Sequence, residues 1–531
     1  MSHSNLPRAV ALQYIHHSHR EQQTINQDKR WPGWEVVVGI EVHAQLKSRQ
    51  KLFSGHFFTS YTWTSDPSEA PNTRVSSYDA AFPGTLPKLN TKCVQLAIRT
   101  ALALNSDIQT RSTFDRKHYF YPDLPSGYQI TQRYAPLAKG GHLTLPKSNI
   151  AVRINQIQLE QDTAKSTFDH RRRVSYINLN RAGTGLMEIV SEPDMRSPEE
   201  AGEYVRTLQA VLRSVGSSDG NMEQGSLRCD VNVSVNRTGN PPGTRCEIKN
   251  LNSIKFLMIA ITSEVFRQTE LLESGGVVQQ ETRGFDEAKA ETFKLRSKED
   301  APDYRYMPDP NVPPLLLTED YIHTIRKSMP ALPDATRARL LLQGLSERDV
   351  DVLMAIDSGR EVGWDGELGG GAVAYFDSLA NGREGRVVVN WMTHELLGQL
   401  TACNQTFAGN PVSVAQLGEL IDMVQDGRIT GTSGKTLLRH IITHRSSSSP
   451  SQLAAELGLN ALDEGDDDSV LRNLCRDAMN VMPEEVGVLR RGGSRGVLNK
   501  IVGRVMKASR GRADAVKVRE MLEEILAKEG S

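Results

Sequence analysis

A carboxylate and an imidazole lie two positions apart within the otherwise apolar run VGIEVHAQL, residues 38–46. Glu41 and His43 could form an ion pair at a solvated surface, or they could supply half of the ligands of a metal ion. The alternation of polar and apolar residues predicts a β-strand, because successive side chains of a strand point to opposite faces. Glu41, His43 and Gln45 would then share one face, and the apolar residues between them would share the other.

Three further segments repeat this combination of one apolar and one polar face. One strand of this kind is ordinary, because an antiparallel sheet often has a solvated side. Four of them in one region predict a polar groove that is lined by a sheet. The additional polar faces carry Gln158, Glu160 and Asp162; Arg228, Asp230, Asn232 and Ser234; and Arg245, Glu247 and Lys249.

The predicted groove contains the side chains that a phosphoryl-transfer site requires. Arg228, Lys249 and Arg245 could offset the charge of a phosphate. Carboxylate oxygens and an imidazole nitrogen could bind a hard divalent cation such as Mg²⁺. A lattice of salt bridges would account for the same residues, and spacing alone does not decide between the two interpretations. The candidate metal ligands are Glu41, His43, Glu160 and Glu223, the last on a turn.

Two familiar catalytic motifs are missing from the sequence. GTSGKT, residues 431–436, resembles the end of a phosphate-binding loop, but Ile429 stands where that motif requires its first glycine. We interpret the segment as a connection between two helices. No G-x-S-x-G motif occurs, so no serine amidase is visible, and any ammonia-producing activity would belong to another chain.

Length and composition predict a chain of several domains from a reducing compartment. The 531 residues exceed what one hydrophobic core usually organises, so about three domains are expected. The net charge of −1 indicates no particular class of partner. The five cysteines are scattered without a C-x-x-C pair, which argues against a disulfide framework and a zinc knuckle. The sequence contains no apolar run that is long enough to span a bilayer.

The periodicity of the sequence changes along the chain. Short period-two segments dominate the first part, with helices predicted near 199–215 and 254–273, and helical periodicity dominates after the Pro-rich PDPNVPPL. Residues 444–452, HRSSSSPSQ, are typical of a flexible linker. The polar, His-rich residues 1–33 are interpreted as a disordered or targeting extension.

The C-terminal segment combines helical periodicity with an excess of positive charge. From Arg490 onward it has eleven lysine or arginine residues and five aspartate or glutamate residues. In GVLNKIVGRVMKASRGR the apolar residues fall on one helical face and the basic residues on the opposite face. A basic face is often merely solvated, but this excess favours contact with a nucleic-acid backbone. The candidate contacts are Lys500, Arg504, Lys507 and Arg510.

Several long segments resemble the signatures of the GatB family, whose members are subunits of the glutamyl-tRNA(Gln) amidotransferase. They include FDRKHYFYPDLPSGYQITQ, LNRAGTGLMEIVSEPD, MEQGSLRCDVNVSV and EIKNLNS, and they occur in the family's order between about 34 and 531. The resemblance implies an α+β fold. A β-rich catalytic cradle domain (34–318) would be followed by an all-helical domain (319–455) and a small helical tail domain that binds tRNA (456–531).

The resemblance also implies a reaction, its cofactors and its partners. ATP and Mg²⁺ would support phosphorylation of the glutamate γ-carboxylate on Glu-tRNA(Gln). Ammonia from a partner glutaminase subunit would then displace phosphate to give Gln-tRNA(Gln), a ligase reaction that forms a C–N bond. Phosphorylation is needed because a carboxylate has no good leaving group, and Mg²⁺ neutralises charge on the transferring phosphoryl group. A small third subunit would complete the heterotrimeric complex.

By motif position, the resemblance implies roles for individual residues. The metal ligands would be Glu41, His43, Glu160 and Glu223. The catalytic residues would be Glu223, Arg228, Asp230 and Lys249, and the nucleotide-binding residues would be Asn232, Glu247 and Asn250. Tyr119, Tyr121, Tyr128 and Gln129 would lie near the tRNA acceptor end or the path of ammonia. Gln161 and Gln224 stand where the family often has a second acid, which leaves the set of metal ligands open.

Two rival functions and two compartments are consistent with these features. A tRNA-binding scaffold without catalysis would need the tail but not the groove. A metal-dependent kinase or ligase for a small acid would need the groove but not the basic tail. The N-terminal extension favours a mitochondrial matrix protein, with the cytoplasm as the alternative.

Overall fold

The computed structural model of the protein describes residues 28–54, 70–297, 303–461, 467–490, 495–509 and 511–529. Two compact units make up the chain. One comprises Met1–Pro333 and Val362–Leu368, and the other comprises Asp334–Glu361 and Gly369–Ser531. The first is rich in strands and the second is helical, which confirms the α+β class. Residues 1–27 of the expected extension lie outside the described part of the chain.

The strands belong to the first unit. They are β1 (Trp34–Gln45), β2 (Asp107–Ile108), β3 (Arg111–Ser112), β4 (Asp115–His118), β5 (Tyr128–Thr131), β6 (Ala138–Lys139), β7 (His142–Leu145), β8 (Ile150–Gln161), β9 (Lys165–Asp169), β10 (Val174–Asn178), β11 (Gly185–Ser191), β12 (Leu227–Arg237), β13 (Cys246–Leu251), β14 (Glu281–Asp286), β15 (Glu291–Ser297), β16 (Met307–Pro308) and β17 (Leu315–Leu316).

A ten-stranded sheet forms the centre of this unit. Its strands follow the order β15-β14-β13-β12-β1-β11-β8-β6-β2, and β7 pairs with β8. The long strands β1, β8, β11 and β12 pair with one another in antiparallel orientation, whereas β13 and β14 pair in parallel. A separate three-stranded sheet has the order β16-β4-β5, and β9 and β10 form a two-stranded hairpin.

The apolar face of the large sheet is covered by helices. The alternation predicted for β1 is confirmed, because Val36, Val38, Ile40 and Val42 are buried in the core. Ser197 and Ser253 cap the second and third helices, whose apolar residues pack in the same hydrophobic cluster as the strands. The helices of this unit are α1 (Thr91–Ala103), α2 (Pro198–Ser214), α3 (Ile254–Glu273) and α4 (Glu319–Lys327).

The second unit contains two hydrophobic clusters built from short helices. One gathers apolar residues between Leu340 and Leu459, and the other gathers those between Leu471 and Ile525. The helices are α5 (Pro333–Leu342), α6 (Glu347–Ser358), α7 (Ala372–Leu379), α8 (Gly385–Asn390), α9 (Leu397–Ala402), α10 (Val414–Gln425), α11 (Gly431–His444), α12 (Pro450–Glu456), α13 (Asp467–Val481), α14 (Pro483–Arg490), α15 (Arg495–Ala508) and α16 (Ala515–Glu529), with a π-helical turn at Trp391–Leu396.

Two details of the sequence interpretation are corrected in this unit. Residues 444–452 are not one flexible linker, because Ser449 caps α12 and exchanges capping-box hydrogen bonds with Gln452. Ser, Pro and Gln at the cap, first and third positions are a helix start, and this signal outweighs the low complexity of the segment. GTSGKT is the start of α11 rather than the connection before it, and Thr430 is its N-cap.

No helix of the described residues has the length and apolar character needed to cross a membrane.

Candidate functional site

The polar face of the large sheet brings side chains of four strands into register. His43 of β1 lies opposite Arg228 of β12 and opposite Glu188 of β11. Glu188 lies in turn opposite Gln158 of β8, two residues before Glu160. Residues directly opposite in antiparallel strands share a face and lie close together. The register therefore places an imidazole, a guanidinium and two carboxylates on one small area of the sheet.

His43, Glu160 and Glu188 form a tight cluster. Their potential ligand atoms, one from each side chain, all lie within 4.8 Å of one another. Within the described ranges, this is the one group of three or more histidine, cysteine and acidic side chains that meets so closely. His43 and Glu160, two of the four predicted ligands, thus lie beside Glu188, which is not one of the four.

Glu188 is held beside a second carboxylate with little to neutralise it. Burial raises the pKa of its carboxyl group, and the nearby charge of Glu160 raises that pKa further. The side chain accepts a hydrogen bond from Nε2 of Gln158 at 2.5 Å, but it forms no salt bridge among the described residues. A bound cation would compensate this excess of negative charge.

Lys117 supplies part of that compensation. Its Nζ lies 3.4 Å from Oε1 of Glu160 and 5.3 Å from the ring centroid of Tyr304. Burial alone would lower the pKa of the Lys117 ammonium group, but the charges of Glu160 and Glu188 outweigh burial and raise it. The salt-bridge interpretation of the groove is therefore correct for Glu160, whereas Glu188 forms no ion pair among the described residues.

Arg228 is fixed at the opposite side of the cluster by a buried acid. Its Nη2 donates a hydrogen bond of 2.8 Å to Oδ1 of Asp162, whose other oxygen accepts one from Gln45. Burial would raise the pKa of Asp162, but the charges of Arg228 and Arg181 outweigh burial and lower that pKa below its ordinary value. Arg228 keeps about a third of its side chain exposed. Its guanidinium is thus oriented by Asp162 and still accessible to a ligand.

Lys249 occupies a second cationic position on the same face. It contacts the carboxylate of Asp230 and lies 3.0 Å from that of Glu247. Burial would lower the pKa of Lys249, but these two acids outweigh burial and raise it, so the group stays protonated. Nε2 of His43 lies 4.0 Å from Oδ2 of Asp230, which connects this ion pair to the carboxylate cluster.

A cavity of about 910 Å³ is lined by His43, Glu160, Arg228 and Lys249, whereas Glu188 lies outside its lining. Glu41, Asn232 and Glu247 do not line it, although they lie on the same strands, and Glu41 accepts a hydrogen bond of 3.4 Å from Asn232. Tyr119, Tyr121 and Gln129 also line the cavity, whereas Tyr128 packs under the guanidinium of Arg116 outside it. The predicted site residues that line it are His43, Glu160, Glu223, Arg228, Asp230, Lys249 and Asn250.

The donor set of the cluster fits a divalent cation. Mg²⁺ is usually held by one or two protein carboxylates, with the remaining positions taken by water and substrate phosphates. Glu160 and Glu188 provide two carboxylates, and His43 provides a nitrogen donor at the edge of the cavity. Glu41 is outside this cluster, and Glu223 is an exposed residue of the turn before β12.

Glu188 could have been selected from the sequence by the same signal as Glu41. It is the one charged residue of the apolar strand GLMEIVS, and a carboxylate in such a strand is costly to bury unless its charge is compensated. Lys117 carried no comparable signal, because its neighbours Arg116 and His118 are also basic. Its proximity to Glu160 depends on the pairing of β4 with β5, which no local pattern specifies.

The basic residues predicted in the tail lie on the exposed side of α15. Lys500, Arg504 and Lys507 are exposed, while Leu498, Ile501, Val502 and Val505 are buried in the C-terminal hydrophobic cluster. Arg510 lies outside the described residues.

Comparisons with known proteins agree over almost the whole chain. The GatB/GatE catalytic domain family matches residues 36–323, and the family described as GatB domain matches residues 374–526. The mitochondrial glutamyl-tRNA(Gln) amidotransferase GatB protein of Laccaria bicolor is 60% identical over 528 residues, which cover 95% of each chain. Its counterpart of the same name from Mycosarcoma maydis is 46% identical over 93% of this chain and 86% of its own.

A bacterial relative extends the comparison. The aspartyl/glutamyl-tRNA(Asn/Gln) amidotransferase GatB protein of Anaplasma marginale is 45% identical over 499 residues, covering 93% of this chain and 97% of its own. The similarity thus includes both the strand-rich unit and the helical unit.

Proposed function

The chain belongs to the GatB family, and from this premise we propose that its cavity is where the γ-carboxylate of Glu-tRNA(Gln) is activated and amidated. The protein acts in the tRNA-dependent formation of Gln-tRNA for translation, as part of a glutamine-hydrolysing ligase complex. It is a mitochondrial form of GatB. Its complex contains further subunits, and we propose that these are a glutaminase and a small third chain.

The proposed reaction has two steps. The γ-carboxylate oxygen of the glutamyl group attacks the terminal phosphorus of ATP, the bond to the β-phosphate oxygen breaks, and ADP leaves. Ammonia then attacks the resulting acyl phosphate, inorganic phosphate leaves with the C–O bond electrons, and the nitrogen loses a proton. Activation is required because a free carboxylate could only expel oxide. Gln-tRNA(Gln), ADP and phosphate are the products.

His43, Glu160 and Glu188 would hold the Mg²⁺ ion of this reaction. Bound there, Mg²⁺ would neutralise charge on the phosphoryl group during its transfer. The protein's own contribution is a rigid support, because all three residues project from paired strands of one sheet. Glu41 and Glu223 remain proposed ligands of the wider site, with Glu223 at the cavity wall and Glu41 beside it.

Arg228 and Lys249 would bind the anionic groups of the substrates. Both are cations that line the cavity, and each is oriented by a neighbouring carboxylate. Phosphates would gain charge-assisted hydrogen bonds without any rearrangement of these side chains. Asn232, Glu247 and Asn250 would complete the nucleotide side of the pocket.

One observation carries the proposal more than any other. Glu188 forms no ion pair among the described residues and lies close to His43 and Glu160, which line a cavity that also contains two oriented cations. Salt bridges alone would leave the carboxylate of Glu188 uncompensated. The arrangement is instead what a bound metal ion and an anionic substrate would complete.

A substitution of Glu188 tests this proposal. Glu188→Gln in the assembled complex keeps the size of the side chain and removes its charge. We expect a loss of more than about 100-fold in ATP-dependent conversion of Glu-tRNA(Gln), since even partners of metal ligands cost 10- to 100-fold. Glu35→Gln, on the same strand as His43 and outside the cavity, is the matched control. Unchanged turnover in the Glu188 variant would defeat the assignment and favour a tRNA-binding scaffold.

The tail would add affinity for tRNA without taking part in the chemistry. We propose that residues 456–531 form the tRNA-binding tail and that Lys500, Arg504, Lys507 and Arg510 contact the backbone. The exposed basic face of α15 opposite its buried apolar face supports this role for the first three residues. A complex without the tail should bind tRNA more weakly while the partner still hydrolyses glutamine.

A further inference from the structure

A row of tyrosine rings leads away from the cavity. The centroids of Tyr121 and Tyr119 lie 5.6 Å apart, those of Tyr119 and Tyr304 5.9 Å, those of Tyr304 and Tyr306 6.0 Å, and those of Tyr306 and Tyr134 6.4 Å. Each ring meets the next edge to face. We call these five residues the tyrosine row.

The three-stranded sheet holds the row in place. Tyr119 and Tyr121 follow β4, Tyr134 follows β5, and Tyr304 and Tyr306 precede β16. β4 lies between the other two strands, so the segments that carry the rings are anchored side by side. The backbone N–H of His118 donates a hydrogen bond of 2.8 Å to the carbonyl of Tyr304, which ties two of the segments together.

The two ends of the row differ in their surroundings. Tyr119, Tyr121 and Tyr304 line the cavity, whereas Tyr134 lies outside it and is 64% exposed. Tyr121 is 53% exposed, although it lies at the cavity end of the row. Tyrosine rings that only pack in a hydrophobic core would be buried. The row therefore offers aromatic surface from the cavity to solvent.

Cations accompany the rings along this path. Nζ of Lys117 lies 5.3 Å from the centroid of Tyr304, and the guanidinium carbon of Arg133 lies 5.6 Å from that of Tyr306. Aromatic rings that stack on bases, interleaved with cations that follow the phosphates, are how proteins bind single-stranded nucleic acid without reading its sequence.

We propose that the tyrosine row binds the unpaired 3′ end of the substrate RNA and directs its acylated terminus into the cavity. The bases would stack on the exposed rings, with Tyr134 contacting the nucleotides nearest the paired stem. This inference rests on the proposed function for the identity of the RNA, but the row itself is a separate binding surface. Tyr134 is a positioning residue, because it lies outside the cavity.

Binding of two RNA probes by the assembled complex tests the inference. One probe is an acceptor-stem duplex with four unpaired 3′ nucleotides, and the other is the same duplex with a blunt end. The wild-type complex should bind the first probe more tightly. Tyr134→Ala should weaken that binding about tenfold, the order expected for one stacked base, and should leave the blunt probe unaffected.

Two further variants make the result specific. Tyr134→Phe lacks only the hydroxyl group and should recover most of the affinity that Tyr134→Ala loses. Tyr321→Ala removes a partly exposed ring of α4 that is not in the row, and it controls for general loss of aromatic surface. With acylated tRNA, Tyr134→Ala should raise KM and leave kcat nearly unchanged.

The outcomes separate this inference from the proposed function. If Tyr134→Ala binds both probes as the wild type does, or if the wild type shows no preference for the unpaired end, the tyrosine row is not an RNA site. If the preference and its loss are observed but Glu-tRNA(Gln) is not converted, the row stands and the proposed reaction fails.

Discussion

The two faces of the central sheet are built from the same strands but differ in polarity and in burial. On one face, Val38, Ile40 and Val42 are almost completely buried and pack within the apolar core. On the other face, Glu41 and His43 alternate with them and stand beside charged groups of neighbouring strands. Burial of the apolar face stabilises the fold. On the polar face, each charge has to be compensated by a neighbouring charge or by a bound ligand.

Because alternate side chains of a strand face opposite sides of the sheet, residues that stabilise the fold and residues that serve function can alternate along one strand. A substitution on the apolar face should cost free energy of unfolding and spare the chemistry. A substitution on the polar face should do the reverse, and where it removes an uncompensated charge it should not destabilise the fold at all.

The polar face should show the largest effect on activity. His43→Ala removes a proposed metal ligand that projects from the middle of the sheet, and we expect ATP-dependent amidation to fall by more than about 100-fold. The free energy of unfolding should change little, because the imidazole lies at a cavity wall rather than in the core. Steady-state rates and denaturant titrations of the same preparation would check both. A large loss of stability with retained turnover per folded molecule would show that His43 stabilises the fold and is not needed for activity.

The apolar face should show the largest effect on stability. Ile40→Ala leaves a hole under the sheet at a residue that is 1% exposed, and we expect a loss of about 3 kcal/mol in the free energy of unfolding. Ile40→Val should cost about 1 kcal/mol and serves as the graded control. Turnover per folded molecule should stay near the wild-type value. A loss of activity beyond the loss of folded protein would show that the two faces are coupled.

The ion pair of Arg228 and Asp162 lies between these extremes and depends on pH. The pKa of Asp162 is lowered in the folded protein, so the pair contributes fully above the ordinary pKa of an aspartate, and its contribution is lost as pH falls through the lower folded value. Asp162→Asn should cost about 1–3 kcal/mol at neutral pH and should flatten the decline of stability below pH 4. If the free energy of unfolding fell equally steeply with decreasing pH in the wild type and the variant, the cause given for the lowered pKa of Asp162 would be wrong.

Helix α15 of the tail also has one apolar face and one charged face. In α15 the apolar residues pack inward while Lys500 and Arg504 are exposed. Replacing both cations by alanine should weaken tRNA binding a few-fold and lower the slope of log affinity against log salt by up to about two, with helical content unchanged. The Leu498→Ala variant should instead loosen the tail's core. An unchanged salt slope would mean that these lysine and arginine side chains are only solvated.

The strand alternation shows how much of the site could be predicted. Local period-two patterns were enough to place Glu41, His43 and Glu160 on polar faces, and the motifs placed those faces in one family's catalytic domain. Register was not predictable in this way. The proximity of His43 and Glu188 depends on which strands pair and in which register, and these are properties of the whole sheet.

The helical unit illustrates a different cause of error. The run of serines at 446–449 suggested a linker, although Ser449 and Gln452 already carried the signature of a helix start. The position of these residues relative to the helix therefore predicts the local structure better than their composition does. Lys117 could not be found from either, because its pairing with Glu160 joins residues of different sheets.

The most direct test of the proposed metal site is the binding of Mn²⁺, a spectroscopic substitute for Mg²⁺, to the assembled complex, measured by electron paramagnetic resonance. If His43, Glu160 and Glu188 hold the metal, the wild type and Glu35→Gln should bind Mn²⁺ alike, while Glu188→Gln should bind it more than about tenfold less tightly. Equal affinity in all three proteins would contradict the proposed metal site, because it would mean that the carboxylate of Glu188 takes no part in holding the metal ion.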